Sequence, residues 1–346
     1  MAIAKSNVKV DLNYSRYNGL IHFDSKTIEK VKNISYNIFS LVFFPLGLYR
    51  VTQFAMHRLV GLFISQGQLT AKFLRKDSKR ADYINNIKSK FLKFFDSVEE
   101  IKIKTSDNIN LSSMVFQKNN AKGTIIFFGG SAYFYEGLSD CKLSSPHFPY
   151  NHALDEKLLK QASKANYNII LFNPRGTALS QGWASQEGLV KDAEALLGYA
   201  KNVLKTKNED IVAYGHSLGA YAATMLSSKH NVKLVSDRSF SNLPLAAKHV
   251  FGDNKFGKIA YYALKFFGWN MDSIKAWNKV SEKKALLYHK LDNNVLIEAS
   301  LKSAIDEKDK DKVFKMKMGH HVSCISNLYF NSIFKELFKD KFKLIS

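Results

Sequence analysis

The sequence predicts an α/β fold, with a mostly parallel central sheet that is flanked by helices. Short apolar runs rich in β-branched and aromatic residues alternate with longer helical stretches over residues 96–346. Most of these runs are apolar throughout, which is typical of strands that are buried on both faces of a sheet. One run leads directly into a Gly-x-Ser-x-Gly turn and then into an Ala-rich helix. We therefore expect parallel strands joined by helical crossovers.

The first predicted element of this sheet is a hairpin. Residues 99–105 and 108–116 each alternate between apolar and polar side chains with period two. The segment between them, Ser106-Asp107-Asn108, is a turn signal. Two alternating runs joined by such a turn predict a pair of antiparallel strands.

Predicted strands and helices then alternate to the end of the chain. Six strands are expected, at residues 123–130, 168–173, 210–215, 232–237, 284–290 and 312–317. Six helices are expected, at about residues 151–165, 186–205, 217–229, 242–266, 294–305 and 322–340. We interpret residues 240–280 as a helical, cap-like insertion in a domain that covers residues 96–346.

Residues 1–95 form a separate basic and apolar extension that we expect to be helical. They carry 16 Lys+Arg against 5 Asp+Glu, and they include the apolar segments 38–49 and 51–64. Pro45 and Arg50 interrupt these segments, which argues against a bilayer span of about 20 apolar residues. Three interpretations remain open: helices packed on the main domain, an interfacial membrane hairpin, or a partner-binding arm.

Composition and charge limit the partners. The 46% hydrophobic and 13% aromatic content excludes a disordered chain, and the formal net charge of +21 favours anionic partners. No nucleic-acid-binding motif accompanies the charge, so we expect no nucleic-acid partner. An anionic membrane surface and a lysine-rich surface that only contacts solvent both remain open. Cys141 and Cys324 have no disulfide or metal spacing, and residues 1–20 lack the apolar block of a secretory signal. We expect no metal and no organic cofactor.

The sequence Gly215-His216-Ser217-Leu218-Gly219 carries the predicted chemistry. A strand leads into it and a helix leads out, which is the context that a nucleophile elbow requires. Such a turn presents the Ser217 hydroxyl at a helix N-terminus, where backbone N–H groups favour a developing anion. A serine also needs a histidine base that is held by a carboxylate.

The acid and the base are expected after later strands, in the chain order Ser, Asp, His. Asp292 follows the strand at 284–290 and is our first choice for the acid, with Asp237 as the alternative. Asp237 neighbours Arg238, with which it could simply form an ion pair. His320 follows Gly319 after the last strand and is our choice for the base, with His321 as its rival, because only geometry decides between them.

Two backbone amides are expected to bind the oxyanion of a tetrahedral intermediate. One is the N–H of Leu218, directly after the nucleophile. The second comes from the Gly-Gly turn after the strand at 123–130, where Ser131 is our candidate. The alternative is that this glycine pair only makes a tight exit from the strand.

These residues and motifs resemble the α/β-hydrolase superfamily over roughly residues 96–340. The segment NPRGTALSQG at 173–182 is similar to the superfamily's N/D-x-R-G-x-G-x-S-x-G loop, with Ala178 in place of the usual glycine. The segment FGGS at 128–131 occupies the place of the usual Phe-His-Gly-Asn, with Gly129 in place of the histidine. In style the chain is closest to BEM46/ABHD-like serine hydrolases, which include depalmitoylases and lipid esterases.

A narrower resemblance links the segment SDRSFSNL at 236–243, together with the Lys-rich N-terminal region, to SidB-type effector hydrolases of intracellular bacteria. We expect a cytoplasmic protein or, as that resemblance implies, one translocated into a host cell without a signal peptide. Peripheral membrane attachment through the N-terminal extension stays open. We expect a serine hydrolase that cleaves a lipid or acyl-protein ester or thioester through an acyl-enzyme. The alternative is a catalytically inactive interaction or membrane-binding protein on the same scaffold.

Overall fold

The chain forms two compact units, Met1–Met56 and His57–Ser346. The computed structural model describes residues 14–17, 20–23, 28–35, 51–52, 54–55, 58, 61, 74, 78–139, 153–280, 283–317 and 320–338. In the first unit, strands β1 (Tyr14–Tyr17) and β2 (Leu20–Phe23) pair antiparallel, and residues 28–35 are helical. The apolar segment 38–49 and Cys141 lie outside the described residues, so the three interpretations of the extension stay predictions.

The second unit is built on an eight-stranded sheet in the order β10-β9-β8-β7-β5-β6-β4-β3. Its strands are β3 (Ser97–Lys104), β4 (Asn110–Gln117), β5 (Gly123–Phe128), β6 (Tyr167–Phe172), β7 (Ile211–His216), β8 (Lys233–Asp237), β9 (Lys284–His289) and β10 (Val313–Met316). The predicted hairpin is β3–β4, and β4 also pairs antiparallel with β6. All other neighbouring strands are parallel, which confirms the predicted fold class.

Helices cover the sheet along its length. The described α-helices of this unit are α1 (Arg80–Phe91), α2 (Ala153–Lys164), α3 (Gln186–Asn202), α4 (Leu218–His230), α5 (Leu243–Val250), α6 (Lys255–Phe266), α7 (Ser273–Trp277) and α8 (Asn327–Phe338). Ile125 and Phe127 of β5 belong to one buried apolar cluster, whereas Ile126 and Phe128 belong to another. Because successive side chains of a strand point to opposite faces, both faces of the sheet are buried.

Two predicted helices differ from the structure. The helix expected at 242–266 is divided into α5 and α6, because Gly252 takes a φ of +84° that ends the first helix. The helix expected at 294–305 is replaced by turns and a short 3₁₀ helix, Leu301–Ala304. Its backbone bonds instead to the neighbouring segment: Ser241 N–H donates to the Ala299 carbonyl (2.8 Å) and Leu301 N–H to the Ser239 carbonyl (2.9 Å).

Helix α1 lies inside the predicted N-terminal extension but belongs to the second unit. Its apolar face buries Ile84, Ile87 and Phe91, and the ring of Phe91 meets that of Phe116 on β4 at 5.5 Å. We predicted a domain boundary at residue 95, which is where the sheet begins. The compact unit that contains the sheet begins earlier, at His57. Among the described residues, no helix is both long enough and apolar enough to cross a bilayer.

Candidate active site

Ser217 lies at the sharp turn between strand β7 and helix α4. Its backbone has φ 53° and ψ −120°, a conformation that L-residues rarely adopt. The neighbouring strand holds the turn, because Ser217 N–H donates to the Asp237 carbonyl at 2.9 Å. The predicted strand–turn–helix element is therefore present, with its strain at the serine.

The two glycines of this turn are required by close backbone packing. A Cβ on Gly215 would lie 2.4 Å from the Cα of Ala220, where the chain folds back on itself. A Cβ on Gly219 would lie 2.2 Å from the Phe128 carbonyl oxygen and 2.4 Å from that of Gly129. Helix α4 thus begins directly against the end of β5, and only glycine allows this approach.

Replacing Gly219 with alanine should destabilise the protein, since overpacking against rigid backbone costs about 1–3 kcal/mol. Gly198 in helix α3 is the matched control, because a Cβ there would meet nothing within 4 Å. Gly198→Ala should raise stability by about 0.5–1 kcal/mol, the helix preference for alanine over glycine. Thermal unfolding of the two variants checks this, and equal midpoints would contradict the close approach at Gly219.

The structure brings Ser217, His321 and Asp292 together in a chain of hydrogen bonds. The Ser217 Oγ lies 2.8 Å from Nε2 of His321, and Nδ1 of the same ring lies 2.8 Å from Asp292 Oδ2. An ionised carboxylate can only accept, so Nδ1 carries the proton and Nε2 is left to accept the Ser217 O–H. Asp292 and His321 are buried, and Ser217 is half-buried at the site.

The structure corrects the choice between the two histidines: His321, and not His320, makes the hydrogen bonds to Ser217 and Asp292. The side chain of His320 is exposed, and its backbone N–H donates to Ser323 Oγ at 2.7 Å. Its carbonyl oxygen accepts a hydrogen bond from Arg238. These backbone contacts set the loop so that the next residue, His321, faces Ser217, an orientation that no local sequence signal specifies.

Asp292 is held as a charged acceptor. One oxygen, Oδ1, accepts the backbone N–H groups of Asn294 (2.9 Å) and Val295 (2.8 Å), and the other faces His321. Burial by itself would raise the pKa of Asp292, but the hydrogen bond from His321, the electrostatic attraction to that ring and the two backbone donors lower it below its usual value. The carboxylate is therefore ionised at neutral pH and able to orient the imidazole.

This lowered pKa predicts a pH-dependent contribution of Asp292 to stability. A carboxyl whose pKa is lower in the folded than in the unfolded chain stabilises above the unfolded pKa, and loses this effect as pH falls through the folded pKa. Asp292→Asn should therefore lower the free energy of unfolding by about 1.5–3 kcal/mol at pH 7. The difference in unfolding free energy between wild type and Asp292→Asn should become smaller as pH falls below about 4.

Denaturant unfolding across this pH range measures the effect. The exposed Asp306→Asn is the matched control and should change stability little at any pH. If the unfolding free energies of wild type and Asp292→Asn differ by the same amount at pH 7 and pH 3, the result would contradict a stabilising charge on Asp292.

Asp237, the alternative acid, is committed to other partners. Its carboxylate accepts both Nε and Nη2 of Arg238 at 2.7 Å and the Tyr214 hydroxyl at 2.9 Å. The remaining nitrogen of Arg238, Nη1, donates to the carbonyls of His320 (3.0 Å) and Ser323 (2.7 Å). This fully buried pair therefore clamps the loop that carries His321, a positioning role that sequence reasoning missed.

His216 supports the same loop through its imidazole. Its Nε2 donates to the backbone carbonyl of His321 at 2.8 Å, and the two rings lie 5.0 Å apart. Burial, helped by the positive charge of Arg238, lowers the pKa of His216 well below its usual value. His216 is therefore neutral at pH 7 and acts as a hydrogen-bond donor inside the elbow.

The two candidate oxyanion donors lie on the elements that the elbow packs together. Leu218 is the first residue of helix α4, so its N–H has no acceptor within the helix. Ser131 is half-buried in the turn after β5, where Tyr133 N–H donates to the Gly130 carbonyl (3.1 Å). Their role in binding an oxyanion stays a prediction.

The segment at 173–182 bonds to the short 3₁₀ helix Tyr135–Leu138, which follows this turn, and to two other parts of the unit. Asn173 Oδ1 accepts the Tyr135 N–H at 3.0 Å, and its Nδ2 donates to Glu136 at 2.9 Å. Arg175 joins Asp107 in the hairpin turn (2.9 Å) to Asp192 on α3 (2.8 Å). Buried Glu136 also pairs with Arg80 at the start of α1 (2.9 Å), a contact that no sequence motif indicated.

Solved structures share this fold. An α/β hydrolase from Vibrio vulnificus is 18% identical, with a TM-score of 0.58 over 82% of this chain and 94% of its own. The Pyrococcus furiosus esterase Pf2001 is 20% identical, with a TM-score of 0.52 over 71% of this chain and 90% of its own. The architecture and the elbow thus define an α/β-hydrolase fold, as the resemblance implied.

Sequence comparison identifies the family. The model of the family described as Chlamydia CHLPS protein (DUF818) matches residues 25–304, and the chain therefore belongs to that family. It is also 32% identical over 149 residues to the uncharacterized protein F37A4.1 of Caenorhabditis elegans. The Arabidopsis thaliana α/β hydrolase domain-containing protein WAV2 is 29% identical over 83 residues.

The two relatives are much longer than the regions they share with this chain. The alignment covers 42% of this chain with the Caenorhabditis elegans protein and 23% with WAV2, and 27% of the length of each relative. The narrower BEM46/ABHD-like and SidB-type resemblances stay predictions.

Proposed function

We propose that this chain is a serine hydrolase that cleaves a carboxylic ester or thioester through an acyl-enzyme. The observation that carries the proposal is the pair of 2.8 Å hydrogen bonds that links Ser217, His321 and Asp292 at a strained strand–helix turn. A buried ionised carboxylate, an oriented imidazole and a serine hydroxyl are the groups that acyl transfer by a serine requires.

Ser217 Oγ attacks the acyl carbon while Nε2 of His321 accepts the hydroxyl proton. Asp292 keeps the proton on Nδ1 and stabilises the imidazolium that forms. The carbonyl oxygen becomes an oxyanion, which the N–H groups of Leu218 and Ser131 are placed to receive in this proposal. Each such donor contributes about 2.7–4 kcal/mol to the stabilisation of the transition state.

The tetrahedral intermediate collapses by breaking the bond to the leaving alcohol or thiol, which takes the proton from His321. The acyl group is then an ester of Ser217. In the second half, a water loses a proton to His321 and attacks the acyl carbon. Ser217 leaves as an alcohol after regaining that proton, and the carboxylic acid is released.

The substrate class rests on the resemblance to lipid esterases and depalmitoylases. A Pyrococcus furiosus protein of the same fold is described as an esterase, which supports ester chemistry in general. We infer a lipid ester or an acyl-protein thioester as the substrate.

Activity profiling of the purified full chain tests this function. p-Nitrophenyl esters and matched acyl thioesters of increasing chain length are assayed in parallel with labelling by a fluorophosphonate. Turnover of at least one series and stoichiometric labelling are expected. A folded protein that is silent in every assay would instead support a catalytically inactive interaction or membrane-binding protein.

A further inference from the structure

The helical hairpin formed by α5 and α6, here called the cap hairpin, exposes an apolar stripe. Phe256 (74% exposed), Ile259 (63%), Tyr262 (68%) and Phe266 (63%) lie along helix α6. Their spacing of three, three and four residues puts them on one side of the helix. Four large apolar side chains on one exposed helix face are unusual on the surface of a soluble monomeric protein.

The stripe is the outer side of a helix whose inner side is already packed. A Cβ on Gly257 would lie 2.0 Å from the Gly252 carbonyl and 2.7 Å from that of Lys248, so α6 crosses α5 at close range. Leu264 and Phe267 pack against the buried cluster that includes Leu218. These contacts attach the inner side of α6 to the domain, and the ring of Phe266 also meets that of Phe267 edge-on at 5.1 Å.

Positive charge borders the stripe along one side of α6. Residues 248–267 contain four lysines and one acidic residue. The acidic residue, Asp253, pairs with Lys248 at 3.0 Å, whereas Lys255, Lys258 and Lys265 are exposed on α6 itself. A net charge of +21 also disfavours a second copy of the same chain as the partner. An apolar stripe with lysines along one side is complementary to an anionic lipid surface.

We propose that the outer face of α6 is a docking surface for an anionic lipid bilayer. The helix lies in the plane of the interface, with the rings of Phe256 and Phe266 among the acyl chains. The ammonium groups of Lys258 and Lys265 reach the lipid phosphates beside them. Docking itself does not depend on catalysis by Ser217.

The position of the cap hairpin links this surface to the candidate active site. Strand β8 ends at Asp237, whose carbonyl holds the Ser217 amide, and α5 begins six residues later at Leu243. Leu243 shares one buried cluster with Leu218, the neighbour of the nucleophile. Because β7 and β8 are parallel, the cap hairpin follows the same edge of the sheet at which β7 leads into the elbow.

Vesicle flotation of the full chain tests the docking surface. Wild type should float with vesicles of phosphatidylcholine and phosphatidylserine, and much less with phosphatidylcholine alone. The double variant Phe256→Ser/Phe266→Ser should lower the partition coefficient for anionic vesicles at least tenfold. Leu328→Ser, an equally exposed apolar residue on α8, is the matched control and should float as wild type.

A second pair of substitutions separates the charge from the apolar stripe. Lys258→Gln/Lys265→Gln should lower binding to anionic vesicles at least fivefold and leave binding to phosphatidylcholine unchanged. Hydrolysis of a short soluble ester should be unchanged in both double variants, so that failure of docking is distinguishable from failure of the proposed catalysis.

Three results would overturn the docking proposal. The first is flotation of Phe256→Ser/Phe266→Ser equal to wild type, which would place binding elsewhere in the chain. The second is absence of wild-type binding to anionic vesicles. The third is a wild-type dimer, measured by light scattering, that becomes monomeric in the double variant, since this face would then be a self-association surface.

Discussion

His321→Ala is expected to lower kcat/KM for ester hydrolysis by about 10⁴-fold, whereas His320→Ala leaves it within a few-fold. The two histidines are adjacent, yet only His321 contacts both Ser217 and Asp292, at 2.8 Å each. Without the imidazole, the hydroxyl has no base, and the leaving group has no proton donor. His320 contributes its backbone to the loop, and alanine preserves that backbone.

The matched pair also controls for folding. Both substitutions remove one imidazole from the same loop, so thermal unfolding should show that both variants remain folded. Added imidazole should partly restore the activity of His321→Ala, because a free base can enter the vacated space. If kcat/KM falls by a similar factor in the two variants, or falls further in His320→Ala, the result would contradict the assignment of His321 as the base.

Ser217→Ala should abolish labelling by a fluorophosphonate and lower ester turnover by at least about 10⁴-fold. A fluorophosphonate reacts with an activated hydroxyl oxygen. The alanine substitution removes the Ser217 hydroxyl and changes the size of the side chain little. The positive φ of Ser217 is unfavourable for either residue, so the strain of the turn remains in the variant.

Ser228→Ala in the same helix is the control for this substitution. Ser228 Oγ donates to the Met225 carbonyl at 2.9 Å, and it lies in the last turns of α4, far along the helix from the elbow. It should retain full labelling and turnover. Persistent labelling of Ser217→Ala would assign the nucleophile to another residue.

The strands were predictable because their signals are local. All eight strands of the main sheet occur where apolar or alternating runs were found, with ends shifted by one or two residues. The segment at 294–305 was predicted wrongly because its backbone pairs with residues 239–241, which are distant in sequence. Helical periodicity cannot reveal such tertiary competition.

In the candidate site, too, the residues set by contiguous sequence were predictable, whereas those set by distant residues were not. Ser217 and its two glycines were evident because strand, turn and helix are contiguous. Asp292 was placed by chain order, and the structure supports it over Asp237 through contact with His321. The one-residue error at the histidine arises because Arg238, some 80 positions away in sequence, fixes the loop by binding the carbonyls of His320 and Ser323.

Ala178 departs from the sequence pattern of the α/β-hydrolase loop, and the structure shows that this departure strains the backbone. It occupies the place of the glycine that is usual in the resembling loop, and its φ is +46°. That conformation is unfavourable for a residue with a Cβ. The side chain is fully buried in a small apolar cluster with Leu74 and Phe134.

Peptide mapping of the covalent fluorophosphonate adduct tests the assignment of the nucleophile most directly. The full chain is labelled at pH 7.5 and digested, and the modified peptide is sequenced by mass spectrometry. We predict a single adduct on Ser217 at one equivalent per chain, absent when His321→Ala is treated in the same way. An adduct on any other residue, or one that forms equally fast in His321→Ala, would contradict a hydroxyl activated by this imidazole.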